Sequence, residues 1–468
     1  MYSDLVIKEW TDDQRCRGPS MSTEPAFFRN LEVAMDIRRS QNYLLGLKPR
    51  WDNTVADFTT CDFLSLSRSG KVREAFLAEL ACQPEFDLSA SGSRIQYGNY
   101  SYLNQVEQQI ASFHGVETAF ITPSGFAANV GVLSGVPLAG DAIVYDELVH
   151  ASSHEGLHLS LAEYKLPFRH NDPDSLRDTF VSLKKEQPKF AHGTLSVLVC
   201  VESIYSMDGD VCPLEELLDV VKDEFPLGNA QFVLDEAHSL GVIGDKGRGL
   251  ASMLGLEKEI AIRVNVASKA LGSTGGIVLC NKTVRRMLLN YARSITFSGA
   301  PSFPMVASII AGYKLFMSGE IQPAQDRIQR NVKHFFKTIT SNPIWNEVTN
   351  AGVLSIPILE GWEQRPFQTH IIPLRTRPRH EQFLFFHLLL NNMNAYPMAF
   401  PVVPKGESRV RLVIHAHNTL EQVTALASVI CDWAREMIDI EHNKLDNSLP
   451  SAARQIFAMQ AAQWVQNT

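Results

Sequence analysis

Residues 231–238 read Gln-Phe-Val-Leu-Asp-Glu-Ala-His, and residues 262–269 read Ile-Arg-Val-Asn-Val-Ala-Ser-Lys. Each stretch is an apolar run that ends in ionisable residues, Asp235 and His238 in the first and Lys269 in the second. Runs of this kind are typical of strands that are covered on both faces of a parallel sheet. Because such sheets bind ligands at the carboxyl ends of their strands, these three side chains are the first candidates for a functional site.

Short apolar runs alternate with amphipathic stretches from Thr118 to Cys280, which predicts repeated β-α-β units. Six strands are expected, at 118–123, 142–146, 196–203, 231–236, 262–267 and 275–280. Between them, residues 213–225 predict a helix that begins with proline, which the first helical turn tolerates. The fold class is therefore α/β, a large domain with a mostly parallel central sheet.

The pattern changes beyond the large domain. A helix-like run at 303–318 is followed by further expected elements, which are helices near 322–340, 380–393 and 419–438 and strands near 369–374 and 409–414. This mixture predicts a smaller C-terminal α+β domain. The predicted organisation is an N-terminal segment (1–60), a cofactor-binding large domain (61–310), a small domain (311–440) and a polar tail with a short helix (441–468).

The composition argues against several classes of protein. The chain has 468 residues, 45% of them hydrophobic, and a net charge of −8, so it supports a large core but has no basic stripe for nucleic acid. Its seven cysteines form no CxxC pair, which indicates neither a disulfide framework nor a zinc knuckle. No apolar run reaches about 18 residues, and the last three residues are not a peroxisomal address. We therefore expect no membrane association, and a cytoplasmic location.

Lys269 stands in the sequence Val-Ala-Ser-Lys-Ala-Leu-Gly, at the end of a predicted buried strand. An ammonium group is costly to bury there unless something neutralises it, and a Schiff base does so, although an exposed lysine at a strand end is the alternative. Asp235 and His238 favour a cofactor, since a buried carboxylate keeps a pyridine nitrogen protonated and a histidine can donate to a ring oxygen. Asp-Glu-Ala-His also names a helicase box, but the phosphate loop GxxxxGK[ST] that it requires does not occur.

The stretch Ser124-Gly125-Phe126-Ala127-Ala128-Asn129 follows the predicted strand 118–123 and opens a predicted helix. The first turn of such a helix has free backbone N–H groups that can bind a phosphate, but glycine is also common at this kind of turn for steric reasons. The glycines from 241 to 249 resemble a dinucleotide loop only loosely, because GxGxxG is not met, so a nicotinamide cofactor is disfavoured.

His150 follows the predicted strand 142–146 and could stack on a flat cofactor ring. Its i, i+4 spacing with His154 also suits zinc, but the spacing places no third ligand, so no metal is expected. Arg411 lies on a predicted strand of the small domain, where it could bind a carboxylate with two hydrogen bonds or simply face solvent.

In their order along the chain these segments resemble the α-oxoamine synthases, pyridoxal-phosphate-dependent enzymes of fold type I that are related to the aminotransferases. The resemblance runs from about Asp62 to Arg411 and includes the stretches SASGSRIQYG (89–98) and ESIYSMDGD (202–210). It implies pyridoxal 5′-phosphate as the cofactor. The site residues that it implies are Lys269 as the Schiff-base lysine, His150 stacked on the ring, Asp235 at the ring nitrogen, His238 and Ser206 near the ring oxygen, Ser124, Gly125, Phe126 and Ser268 at the phosphate, and Arg411, Ser93 and Arg94 at the substrate.

The resemblance also implies a reaction. An amino acid would displace Lys269, whose free amine would remove the α-proton, and the carbanion would attack an acyl thioester in a Claisen condensation. Loss of CO₂ would leave an α-amino ketone. A homodimer with the active site at the interface is implied as well. The alternatives are an aminotransferase or decarboxylase of the same fold, and a partner subunit without activity, against which Lys269 argues.

The sequence departs from the family pattern at several positions. Val266 stands where the family usually has a threonine bound to the phosphate, and Ser268 and Asn265 are the candidates to compensate. Cys61 replaces the asparagine that usually precedes the segment at Asp62, and His415 stands where a threonine is common near the acyl site. We therefore expect an acyl chain from specialised metabolism, delivered by coenzyme A or by an acyl carrier protein, rather than ordinary biotin synthesis.

Overall fold

The computed structural model describes residues 2–17, 21–47, 54–442 and 448–466. Within them the strands are β1 Ala56–Asp57, β2 Thr118–Thr122, β3 Ala142–Asp146, β4 Tyr164–Phe168, β5 Val197–Glu202, β6 Ala230–Asp235, β7 Ile262–Val266, β8 Gly276–Cys280, β9 Leu354–Ser355, β10 Ile371–Thr376, β11 Met393–Asn394, β12 Tyr396–Met398 and β13 Arg409–Val413.

The helices of the same residues connect and cover these strands. They are α1 Tyr2–Asp13, α2 Ala26–Arg39, α3 Lys71–Cys82, α4 Ser101–His114, α5 Gly125–Gly135, α6 Ala151–Leu159, α7 Pro173–Glu186, α8 Leu214–Glu224, α9 Leu250–Met253, α10 Lys282–Tyr291, α11 Arg293–Thr296, α12 Phe303–Met317, α13 Gln322–Thr340, α14 Trp345–Asn350, α15 His380–Leu390, α16 Leu420–Glu441 and α17 Ser451–Gln466.

Seven strands form the central sheet, in the order β2-β8-β7-β6-β5-β3-β4. The pairs from β4 through β3, β5 and β6 to β7 are parallel, whereas β8 runs antiparallel to both β7 and β2. Every residue of β5, β7 and β8 is buried, as expected for strands that are covered on both faces. The α/β class with a mostly parallel central sheet is thereby confirmed.

One strand of this sheet was not expected from the sequence. β4 is the edge strand, and it carries Lys165 and Pro167 in a run of five residues of which only Phe168 is buried. Proline and lysine are tolerated at a sheet edge, where the outer backbone groups have no neighbouring strand. The buried strands were recognised by their apolar runs, and in β4 the lysine and the proline interrupt such a run.

Two layers of helices cover the sheet. Helices α5, α6, α10 and α11 pack on one face, where Val132 and Leu157 meet Val264 and Val278. The other face belongs to the main core, which continues into the C-terminal region. There β12-β13-β10-β9 form an antiparallel sheet that packs against α15, and both α15 and α13 pack against α16. The predicted strands and helices of the small domain correspond to β10, β13, α13, α15 and α16.

The two ends of the chain meet. Val6, Ile7 and Trp10 of α1 form a separate apolar cluster with residues of α15 and α17, such as Phe386 and Ile456. Parts of the predicted tail, residues 443–447 and 467–468, lie outside the described residues. The domain boundaries stay a prediction. None of the helices in the described ranges is long and apolar enough to cross a bilayer.

Candidate active site

Lys269 and His238 meet at the edge where β6 and β7 end. Because these strands are parallel neighbours, the residues that follow them share one edge of the sheet. Lys269 Nζ lies 2.8 Å from His238 Nε2. Burial lowers the pKa of Lys269, against the opposing influence of Cys61 and Asp235. Burial and the nearby Lys269 also hold the pKa of His238 well below its usual value, so this imidazole is neutral.

Asp235 is connected to His150 by a chain of hydrogen bonds. Asp235 Oδ1 accepts from the backbone N–H of Ala237 at 2.8 Å, and Oδ2 accepts from Asn129 Nδ2 at 2.7 Å. The same amide nitrogen donates to Ser152 Oγ at 3.0 Å, which lies 2.7 Å from His150 Nδ1. The buried carboxylate is therefore held in one orientation, and the imidazole is oriented with it.

Asn129 and Ser152 were missed as functional residues. A signal was available for Asn129, because it is the one amide on the mostly apolar helix α5 and is 3% exposed. A buried amide needs partners, and the partners here are a carboxylate and a hydroxyl from two other segments. Ser152 gave no such signal, since serine at the start of a helix is common for capping alone.

His150 caps helix α6 and lines a cavity of about 540 Å³ that Ser206 also lines. Its backbone N–H donates to the Glu202 carboxylate, whose pKa is raised well above the usual range by burial and by Asp235. His154 lines the same cavity. Among the described residues, one group of three side chains could hold a metal ion, and it includes neither His150 nor His154. The structure therefore places no third ligand beside these two histidines.

The turn before α5 is closely packed. Ser124 Oγ accepts from the backbone N–H of Ala127 at 3.0 Å and so caps the helix, while Phe126 is exposed. A Cβ atom on Gly125 would lie 2.4 Å from Val266 Cγ2, closer than any real contact, so only glycine fits against Val266. The helix N-terminus with its free N–H groups thus lies directly above the end of β7.

The two residues expected to compensate for Val266 are placed differently. Asn265 points to the opposite face of β7, as alternate residues of a strand do, and its Nδ2 lies 3.3 Å from His114 Nε2. The prediction that Asn265 compensates is therefore wrong. Ser268 is exposed beside Lys269, and its role at the phosphate stays a prediction.

Arg411 reaches the site from β13 of the small sheet. Its Nη1 donates to the backbone oxygen of Ser206 at 3.1 Å, and the residue is 8% exposed. Its Nε is buried without a hydrogen-bond partner among the described residues. A buried guanidinium with an open donor is suited to bind a carboxylate.

A histidine between two carboxylates holds the segment that carries Ser206. His170 Nδ1 lies 2.9 Å from Asp146 Oδ1, and His170 Nε2 lies 2.5 Å from Asp210 Oδ2. Burial alone would lower the pKa of His170, but the hydrogen bonds to Asp146 and Asp210 raise it to about 10. Asn171 Nδ2 also donates to Asp210, at 2.6 Å. No sequence pattern indicated this cluster, which joins three separate segments.

Arg94 is not available to a substrate in this structure. Its Nη1 and Nη2 donate to the two carboxylate oxygens of Glu107 at 2.7 and 3.0 Å, and its guanidinium lies 4.7 Å from the ring centre of Phe120. Because both members of the ion pair are buried, separating them would leave a charge unpaired. Ser93 Oγ is buried with no partner in the described part of the chain, and its role stays a prediction.

These residues fit pyridoxal 5′-phosphate. A lysine with a depressed pKa, a buried oriented carboxylate and a glycine turn at a helix N-terminus lie at one edge of the sheet. His238 Nδ1 is buried and has no hydrogen-bond partner within the described residues, as expected where a ligand completes the site. The fold and the site define a pyridoxal-phosphate-dependent enzyme of fold type I.

Comparison with known proteins leads to the same class of enzyme. The family model "Aminotransferase class I and II" matches residues 54–430. "Aminoacyl transferase sphA" of Aspergillus fumigatus is 50% identical over 464 residues, which is 99% of this chain and 98% of the relative. "8-amino-7-oxononanoate synthase" of Emericella nidulans is 39% identical over 387 residues, 82% and 90% of the two chains.

Among solved structures, "Sphingomonas wittichii Serine palmitoyltransferase" superimposes with a TM-score of 0.72 at 22% identity over 88% of this chain and 98% of that one, which supports the fold. The chain belongs to the aminotransferase class I and II family and, within it, to the α-oxoamine synthases. It is a pyridoxal-phosphate-dependent acyltransferase.

Proposed function

We propose that this acyltransferase joins the α-carbon of an amino acid to the acyl group of a thioester. The α-carbon loses a proton and forms a C–C bond to the acyl carbon as the thioester C–S bond breaks and the thiolate takes up a proton. The α-carbon then loses its carboxyl group as CO₂ and takes a proton back, so the products are an α-amino ketone, CO₂ and the free thiol. The observation that carries the proposal is the 2.8 Å contact between Lys269 Nζ and His238 Nε2 beside the buried Asp235. The likeness over nearly the whole chain to "Aminoacyl transferase sphA" supports the reaction class.

Residues from several segments of the chain would hold the cofactor, and each would contact a particular part of it. Lys269 would bind its aldehyde carbon, Asp235 its ring nitrogen, His150 one ring face, His238 and Ser206 its ring oxygen, and the turn at Ser124, Gly125 and Phe126 with Ser268 its phosphate. When bound, pyridoxal phosphate draws electrons from the α-carbon of the amino acid and so makes its proton easier to remove.

The amine of Lys269 is the proposed base. Burial lowers its pKa, so a larger fraction of the lysine is neutral near pH 7 than for a lysine in water. The neutral imidazole of His238 lies within hydrogen-bond distance of the same nitrogen and orients its lone pair. The Nε of Arg411 would donate to the carboxylate of the amino acid, while the Nη1 of Arg411 keeps its hydrogen bond to the backbone oxygen of Ser206.

The test is a condensation assay with the protein loaded with pyridoxal phosphate. Glycine, alanine and serine are each combined with acyl-coenzyme A of increasing chain length, and thiol release is measured together with the mass of the α-amino ketone. We expect equal amounts of thiol and ketone, and loss of both in Lys269→Ala. Lys185→Ala, which changes an exposed helical lysine, serves as the matched control and should keep wild-type activity.

Other outcomes would reject the condensation. Turnover of the amino acid without any requirement for a thioester would identify an aminotransferase or a decarboxylase of the same fold. A further outcome is that the protein shows no absorbance band at about 410–430 nm that an amino acid perturbs. That result would mean that it binds no pyridoxal phosphate, and the chain would be interpreted as a partner subunit without activity. An absorbance spectrum of wild type beside Lys269→Ala separates these cases before any substrate is identified.

We also propose that the enzyme acts in specialised metabolism in the cytoplasm, as a homodimer with the active site at the interface. The acyl group would arrive on coenzyme A or on an acyl carrier protein. The family resemblance supports the dimer, and the departures at Val266, Cys61 and His415 support an unusual acyl chain. Sedimentation of the purified chain tests the dimer, and comparison of the two thioester donors tests the carrier.

A further inference from the structure

A second cavity, which we call the apolar chamber, lies beside the candidate active site. It is lined by α1, by the segment after α2, by α15 and by residues 396–402. Its main apolar side chains are Trp10, Leu44, Leu45, Phe385, Phe386 and Phe400. The chamber is thus built where the N-terminal helix packs against the small domain.

Tyr43 and Gln382, two of the polar residues that line the apolar chamber, already have partners, whereas the Arg38 side chain at its rim is exposed to solvent. The hydroxyl of Tyr43 donates to Glu381 Oε1 at 2.6 Å, and Gln382 Nε2 donates to the backbone oxygen of Asn42 at 3.1 Å. Trp10 contacts Phe386 edge to face, with ring centres 5.0 Å apart. A ligand in this chamber therefore meets apolar surface and has little to hydrogen-bond with, which favours a hydrocarbon.

One segment of chain separates the apolar chamber from the active-site cavity. Phe400, Pro401 and Val402 line both the chamber and the cavity that contains His150 and Ser206. Phe400 is 66% exposed and Val402 is 53% exposed, so both present apolar surface along this boundary. A flexible chain whose reactive end lies near His150 can follow these side chains into the chamber.

We propose that the apolar chamber binds the far end of a long aliphatic acyl chain, with Phe400 and Val402 contacting its middle. The assignment rests on the proposed condensation for the reactive end of the substrate, but the chamber itself is defined by its own lining. Burial of one methylene raises affinity about fourfold, so preference should rise steeply with chain length until the chamber is full.

Tryptophan fluorescence tests occupancy without catalysis. Hexadecanoic acid that carries bromine on its last carbon is titrated into the protein loaded with pyridoxal phosphate, below the micelle concentration, and quenching is compared between wild type and Trp10→Phe. We expect quenching in wild type that is absent in Trp10→Phe. The isomer with bromine on carbon 2 should not quench Trp10, because its bromine would stay near the active site.

A pair of leucines provides a matched test of chain length. Leu45 lines the apolar chamber, whereas Leu47 is 94% exposed and does not. Both are surface-accessible, so replacement by tryptophan should leave folding intact. Leu45→Trp should lower kcat/KM for long-chain thioesters by a factor that grows with each carbon and leave four-carbon thioesters unchanged. Leu47→Trp should retain the wild-type profile throughout.

The outcomes separate the two proposals. Condensation without quenching of Trp10, or equal chain-length profiles for the two leucine variants, would overturn the assignment of the chamber and leave the condensation standing. Quenching that depends on Trp10 in a protein that condenses no thioester would support the chamber and reject the proposed reaction.

Discussion

Replacing Gly125 by alanine tests the packing of the turn that we propose to bind the phosphate. The added Cβ would lie 2.4 Å from Cγ2 and 3.1 Å from Cγ1 of Val266, so the turn and the end of β7 must move apart. Overpacking of this kind costs about 1–3 kcal/mol. Gly125 is buried at the start of α5, a position where alanine would otherwise favour the helix. We expect Gly125→Ala to lower the free energy of unfolding by about 1–3 kcal/mol.

A double-mutant cycle isolates the contact. Val266→Ala removes both methyl groups that the new Cβ would meet, at a cost of about 1.5–2 kcal/mol for the lost burial of two methyl groups. In the double variant the two substitutions fit together. Its loss of unfolding free energy should therefore be smaller than the sum of the losses in the two single variants by about 1–3 kcal/mol.

The assay is urea unfolding of the four proteins without cofactor, followed by tryptophan fluorescence. Gly299→Ala is the control, because its added Cβ would meet no described atom within 4 Å, and it should change stability by less than about 0.5 kcal/mol. If the effects of Gly125→Ala and Val266→Ala add within about 0.5 kcal/mol, the two residues are not in contact and the account of the turn is wrong.

Three further predictions concern the same site. Val266→Thr should tighten binding of pyridoxal phosphate about tenfold or more, since a hydrogen bond to a charged group contributes about 1.5–3 kcal/mol; an unchanged absorbance titration would place the phosphate elsewhere. Asn129→Leu removes a donor from the buried Asp235 and should lower the free energy of unfolding in urea by about 1–3 kcal/mol; an unchanged value would show that this hydrogen bond does not stabilise the fold. The folded pKa of His170, about 10, lies above its unfolded value, so its stabilisation should be complete below about pH 6.5 and be lost as pH rises through 10. The stability difference between wild type and His170→Asn, measured from pH 6 to 10, should shrink accordingly, and a constant difference would exclude a charged His170.

The sequence by itself determined the class of the central sheet and the edge of that sheet at which the candidate site lies. The apolar runs ending at Asp235 and Val266 are buried on both faces, and a strand of that kind is recognisable without knowledge of its neighbours. Because parallel strands present their carboxyl ends at one edge, Asp235, His238 and Lys269 could be expected to lie together. The glycine at 125 was also recognisable, although its reason, the close approach of Val266, was not.

The tertiary structure decided which partners each polar side chain has. Arg94 and Asn265 lie in stretches that looked functional, but Glu107 and His114, both on α4, engage them. His170 carried no local signal, and the amide of Asn129 on an apolar helix indicated a need for partners but not which ones; both joined the candidate site through contacts across the fold. The apolar chamber likewise exists because α1 packs against α15. Local patterns report whether a residue is buried, whereas the identity of its neighbours depends on chain segments that are far apart in sequence and meet only in the folded protein.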